Sequence, residues 1–152
     1  MAFNTIQLKG DGVRYERVAN GAITPGHIVE LDSNDKFKVH ANAGQVVAPV
    51  IVAVEDDIQG KAITTAYADA ARVQANVQRS GDTFYGLIAN GENIAKGDKL
   101  QSAGDGTLSK HTASSAGAVE YPLAVVGIAL DAVDMSSSSG ADPSGRCRVL
   151  VR

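Results

Sequence analysis

Aromatic residues are scarce in this chain of 152 residues: no Trp, three Phe and four Tyr. Sugar sites stack their ligands on exposed aromatic rings, so a carbohydrate- or cell-surface-binding β-domain is a thin reading. Cysteine is nearly absent too. The lone Cys147 excludes an internal disulfide and any zinc site built on cysteines. It lies in Arg146-Cys147-Arg148-Val149-Leu150-Val151, where it reads as a small buried hydrophobe. Folding in a reducing cytosol is expected. No apolar run approaches the ~20 residues that span a bilayer, and no basic-then-hydrophobic leader opens the chain. Basic residues show no excess. The formal net charge is −3 and the fourteen Lys and Arg are scattered, whereas nucleic-acid binders concentrate cations against phosphate. Arg146, Arg148 and Arg152 at the end of the chain read as a solvated face.

What is present is punctuation. Sixteen Gly, with many Ser, Thr and Asn, interrupt short Ala- and Val-rich runs, the texture of an all-β protein of one domain. Strands are expected over Val13 to Val18, Ile28 to Leu31, Phe37 to Val39, Val46 to Val54, Val73 to Val77, Thr83 to Ala89, Leu123 to Leu130 and Cys147 to Val151. Val73, Ala75 and Val77 alternate with Gln74, Asn76 and Gln78, the mark of a half-buried strand. The Val-rich run to Val54 reads as buried on both faces, and Glu55-Asp56-Asp57 as its solvated end. Lys61 to Ala71 fits neither a strand nor a confident helix. Ser109 to Gly117 and Met135 to Gly145 read as polar loops. Residues 1–9 form an N-terminal arm or edge strand, and residues 10–152 the single β-domain.

An internal echo rises above composition. Gly21, Ile23, Gly26, Val29 and His40 are answered by Gly91, Ile94, Gly97, Leu100 and His111, most at a shared spacing of 71 residues. Pro49 leading into Val52-Ala53-Val54 parallels Pro122 leading into Ile128-Ala129-Leu130. Each unit, about 21–57 and 91–134, reads as Gly, buried Ile, tight Gly turn, polar residue (Asp98 in the second) and strand. The glycines accept backbone angles that other residues resist. Two such units would form one barrel or sandwich related by pseudo-symmetry.

Catalytic signatures are missing. Asp32-Ser33-Asn34-Asp35-Lys36-Phe37 begins like a calcium loop, but Lys36 and Phe37 stand where a ligand and a Gly are required. No phosphate loop or Gly-x-Ser-x-Gly elbow exists. His27, His40 and His111 have no metal-binding spacing. A non-enzymatic protein with no metal or cofactor is expected.

The order Ile-x-x-Gly-x-x-Val, then Leu87-Ile88-Ala89-Asn90-Gly91-Glu92-Asn93-Ile94-Ala95-Lys96-Gly97-Asp98-Lys99-Leu100, and the closing Val126 to Asp134 and Arg146 to Val151, resembles capsid decoration (cement) proteins of tailed bacteriophages. The resemblance spans most of Gly21 to Val151 and rests on Gly and aliphatic positions. It implies a β-tulip or β-clip-like domain assembling as a homotrimer at three-fold and quasi-three-fold sites on the outer surface of the mature head. The partner would be the major capsid protein, with no nucleic acid or membrane involved; the protein would be made in the host bacterial cytoplasm. The resemblance also implies that the N-terminal arm, with Ala2, Phe3, Asn4, Thr5, Ile6 and Leu8, clamps neighbouring capsid subunits. From the residues alone, Ile6 and Leu8 suit either strand addition to a partner or the first strand of the protein's own sheet. A trimeric β-clip-like nucleotide hydrolase is the competing class, and it would need metal-binding carboxylates and phosphate motifs.

Overall fold

The turn-rich, alternating sequence folds as short strands joined by turns. The computed structural model describes residues 2–113, 123–138 and 145–152. Its strands are β1 (Gln7–Lys9), β2 (Val13–Val18), β3 (Ile28–Leu31), β4 (Phe37–Val39), β5 (Ile51–Ala53), β6 (Arg72–Val77), β7 (Thr83–Leu87), β8 (Asn93–Ile94), β9 (Lys99–Ser102), β10 (Leu108–Lys110), β11 (Val125–Ala129), β12 (Val133–Asp134) and β13 (Arg146–Val151). Among the described residues the only helical element is a single 3-10 turn, Asp57–Gln59. The strands pair antiparallel in three sheets, ordered β2-β6-β5-β3-β4, β1-β7-β13-β11-β9-β10 and β12-β8. Among the described residues no sheet closes into a barrel, and the architecture is sandwich-like. Pro122, the end of the Ser109–Gly117 loop and most of the Ser-rich loop lie outside the described residues.

The five strands of the first sheet recur in order in the second, which adds β1 at its edge. Val29, Glu30 and Leu31 face Val39, Lys38 and Phe37 in the β3–β4 hairpin. Leu100, Gln101 and Ser102 face Lys110, Ser109 and Leu108 in β9–β10, the same register 71 residues on. Ile28 opposite Val52 is matched by Lys99 opposite Ile128. Val52 opposite Asn76 is matched by Ile128 opposite Leu150, and Tyr15 opposite Ala75 by Phe84 opposite Val149. Even the isolated parallel bridges correspond, Ala19 to Phe37 and Ile88 to Leu108. The structural repeat therefore runs from β2 to β6 and from β7 to β13, wider than the units visible in the sequence. Short Gly turns are the local cause. Gly26 and Gly97, at φ +97° and +93°, donate their N–H to Ala53 (2.7 Å) and Ala129 (2.8 Å), angles that a Cβ disfavours.

The outer face of the first sheet lies on the inner face of the second. Ile28, Val52 and Val54 join Phe84, Leu100, Leu108, Val149 and Val151 in one core. A smaller core inside the first sheet holds Ile23, Val29, Phe37, Ile51 and Val73. β5 is thus buried on both faces, as its composition implies. It is shorter than the Val46–Val54 run because Pro49 has no N–H to donate to a ladder. β6 departs from the half-buried expectation: Gln74, Asn76 and Gln78 are buried as well. β1 lies over Asn76 and Gln78, the Gln7 and Gln78 amides bonding reciprocally at 2.7 and 3.1 Å, while Gln74 donates to Asp56. In the acidic run after β5 only Asp57 is exposed as a solvated end would be. Buried Asp56 caps the 3-10 turn, accepting from the Gln59 N–H, and Glu55 accepts from the Ile6 N–H at 3.0 Å. Tyr67 bridges to Ile23 and donates its hydroxyl to the Val54 carbonyl at 2.8 Å, and burial pushes the hydroxyl pKa up to about 12.

Candidate interaction surfaces

The N-terminal segment is extended and follows the edge of the six-stranded sheet. Ile6 is fully buried in the main core, its carbonyl accepting from the Tyr85 N–H at 2.8 Å. Of the two roles open to Ile6, the structure takes the strand of the protein's own sheet, because that core offers its side chain about 1.5–3 kcal/mol of burial. Leu8 does not follow it inward. The register slips between Gln7 and Lys9, which face the adjacent residues Phe84 and Thr83; such a bulge breaks the two-residue alternation. Leu8 instead lines a shallow groove with Phe3, Thr5, Thr83, Leu130 and Arg148. Ala2, Asn4 and Thr5 are exposed. Phe3 lies edge-on to Tyr85, ring centroids 5.3 Å apart, with the Arg148 guanidinium 5.8 Å over its face.

Arg148 is held in turn by Asp131, Nε to Oδ2 at 2.9 Å. Its hydrogen bond holds the Asp131 carboxyl below the usual carboxylate range, against a smaller opposing effect of burial. A carboxylate depressed in the folded state adds stability above its unfolded pKa, and that contribution fades as pH falls through the folded value. Asp131→Asn is therefore expected to be less stable than wild type at neutral pH, with the gap closing in acid. Urea unfolding of both proteins across pH 2–7, the ordinary carboxylate range and below, measures it.

The repeat residues serve as turn anchors. Ile23 and Ile94 are fully buried, and Gly21 and Gly91 share positive φ, +91° and +84°. Asp98 accepts from the Ala95 N–H at 2.8 Å and pairs with Lys110 at 3.0 Å, which lowers its pKa, the Ala95 bond first. The Gly26 and Gly97 turns differ in surroundings. A Cβ on Gly26 would meet Arg146 Nη1 at 2.5 Å and the Tyr85 carbonyl at 3.0 Å, whereas one on Gly97 would meet nothing within 4 Å.

A second surface had no signal in the sequence. The inner face of the first sheet opens to solvent as an apolar groove of about 320 Å³ lined by Val13, Tyr15, Arg17, Leu31, Phe37, Pro49, Ile51 and Val77. Tyr15 and Leu31 are 46 % and 49 % exposed. Their strand alternation was legible, but not that nothing would cover that side.

Chemistry-bearing side chains are committed elsewhere. Asp32 accepts from the N–H groups of Asn34 and Lys36, so the calcium-like run is a turn closed on its own backbone. His40 is buried and bonds Ser102 Oγ at 2.8 Å. Cys147 is buried, which pushes its thiol pKa up. Arg146, read as solvated, donates to the carbonyls of Pro25 and Ile63, both at 2.8 Å. Among the described residues no three His, Cys, Asp or Glu side chains gather at metal-binding distance, and no helix is long and apolar enough to cross a membrane.

No family model and no curated protein match the sequence. A solved structure does match the fold: the N base of head fiber gp8.5 in bacteriophage phi29, with a TM-score of 0.56 over 92 % of this chain and 93 % of that one. Sequence identity is 12 %, so what the two proteins share is their fold, from end to end.

Proposed function

We propose that this protein is a structural component of a tailed-phage head: a non-catalytic decoration protein that binds the outer surface of the mature shell and stabilises it. The observation that carries the reading is the fold shared over nearly the whole of both chains with the phi29 head-fiber base. The sequence resemblance to capsid decoration proteins points the same way. The protein acts as a homotrimer at three-fold and quasi-three-fold sites, with the major capsid protein as its partner. It uses neither cofactor nor nucleic acid nor membrane, and it resides on the virion after synthesis in the host cytoplasm.

The N-terminal segment is the proposed contact. Its exposed residues Ala2, Asn4 and Thr5 precede a strand that is fixed by Ile6, so the chain ahead of Ile6 is held at a sheet edge where a partner strand can add. Three such segments per assembly engage together, and modest single contacts gain through effective concentration. Deleting residues 1–5 is expected to leave the melting temperature of the isolated protein within a few degrees of wild type. Binding to expanded, undecorated phage heads should weaken about tenfold or more. Co-sedimentation with heads measures it, and unchanged affinity would sink the N-terminal contact.

A further inference from the structure

Some positions that the repeat makes equivalent are sealed in the second sheet and open in the first. Phe84, Ser102 and Val151 are buried. Their counterparts by register are Tyr15 and Leu31, both exposed, and half-buried Val77, which line the open groove above buried Phe37. The same face of the same unit thus has a cover in one copy and none in the other.

The cover on the second sheet is the outer face of the first. Ile28 and Val52 are fully buried there. The Ile28 N–H donates to the Gly106 carbonyl at 2.7 Å, His40 reaches Ser102, and the Gly26 turn sits against Arg146. On the second sheet the corresponding outer face is bare. Ile128, in the place of Val52, is 41 % exposed. Lys99, in the place of Ile28, is exposed, and the Gly97 turn is open. Each chain therefore ends with one uncovered groove and one uncovered face of the kind that fills it.

We propose that a second copy of this chain docks its Ile128–Lys99 face into the groove beside Tyr15 and Leu31, repeating between chains the contact that the two halves make within one. Charge supports this alignment. Gly106, which receives the Ile28 N–H, corresponds to Asp35 in the first unit, whose side chain is 67 % exposed and pairs through one oxygen with groove-lining Arg17 at 2.9 Å. The incoming Lys99, standing where Ile28 stands, comes beside that carboxylate. The contact is head-to-tail, so it joins unlike surfaces and closes as a ring where the rotation between copies allows. It deepens the self-assembly part of the proposed function and rests on that part alone.

Native mass spectrometry and sedimentation velocity of the full chain, without phage heads, test it. Tyr15→Asp and Ile128→Asp alter exposed positions, so each variant should keep the wild-type circular dichroism. The wild type is expected to assemble and each variant alone to be monomeric. An equimolar mixture should yield heterodimers and nothing larger, because each variant retains one intact surface. Lys99→Glu would oppose Asp35 and is expected to weaken self-association at least tenfold. A monomeric wild type at the highest soluble concentration overturns the proposal. So does an Ile128→Asp variant that assembles like wild type, which would mean groove meeting groove, and so does a mixture that stays monomeric. Unchanged self-association of Lys99→Glu overturns the alignment. An assembling wild type that fails to bind heads would count against the proposed function and leave this contact standing.

Discussion

Replacing Phe84 with alanine is expected to destabilise the fold by about 3–5 kcal/mol, while the same replacement at its repeat partner Tyr15 costs about 1 kcal/mol or less. The two residues occupy equivalent register positions, opposite Val149 and Ala75 respectively. Phe84 is fully enclosed by the first sheet and by Ile6, so its removal leaves a cavity inside a two-layer core. Tyr15 stands at the open rim, 46 % exposed, and its removal leaves only a wider groove. Urea unfolding of both variants in the monomeric Ile128→Asp background isolates the single-chain terms. Equal losses at the two sites would show that the groove is filled within one chain.

Arg146→Met is expected to lose about 3 kcal/mol. The guanidinium ties β13 to two loops of the first unit through the carbonyls of Pro25 and Ile63, and it lies 5.9 Å over the Tyr85 ring. Hydrogen bonds to a charged donor contribute about 1.5–3 kcal/mol each. Methionine keeps the aliphatic stem but leaves both acceptors bare. Arg146→Lys can reach one carbonyl at a time and should recover about half of the loss. Thermal and urea unfolding check both. A loss below about 0.5 kcal/mol for Arg146→Met, the range of ordinary surface substitutions, would return Arg146 to the solvated role its sequence context implies.

Arg146 shows where reading the chain alone falls short. An Arg–x–Arg strand end signals alternation and nothing about what lies opposite, and here the opposite face belongs to loops more than eighty residues earlier. The same holds for Gln74, Asn76 and Gln78. Their polarity reads as a wet face, yet β1 covers Asn76 and Gln78, for which Gln7 supplies matching amides, and Gln74 donates to buried Asp56. For the N-terminal segment, the chain left Ile6 and Leu8 between two roles; one bulge in β1 sends Ile6 inward and leaves Leu8 at the groove.

The sequence by itself determined the local plan: all-β architecture, the tight turns at Gly26 and Gly97, the alternation that makes each strand two-faced, and the echo of one unit by the other. These follow from backbone angles and side-chain spacing, which neighbours within a few residues decide. Only the tertiary structure decided which copy of a face is covered. Tyr15 and Phe84 carry the same local pattern, but burial depends on what a distant segment places against them, and the second unit has such a neighbour because the first supplies it. That asymmetry between equivalent faces leaves an apolar groove at one end of the pair and the bare Ile128 face at the other.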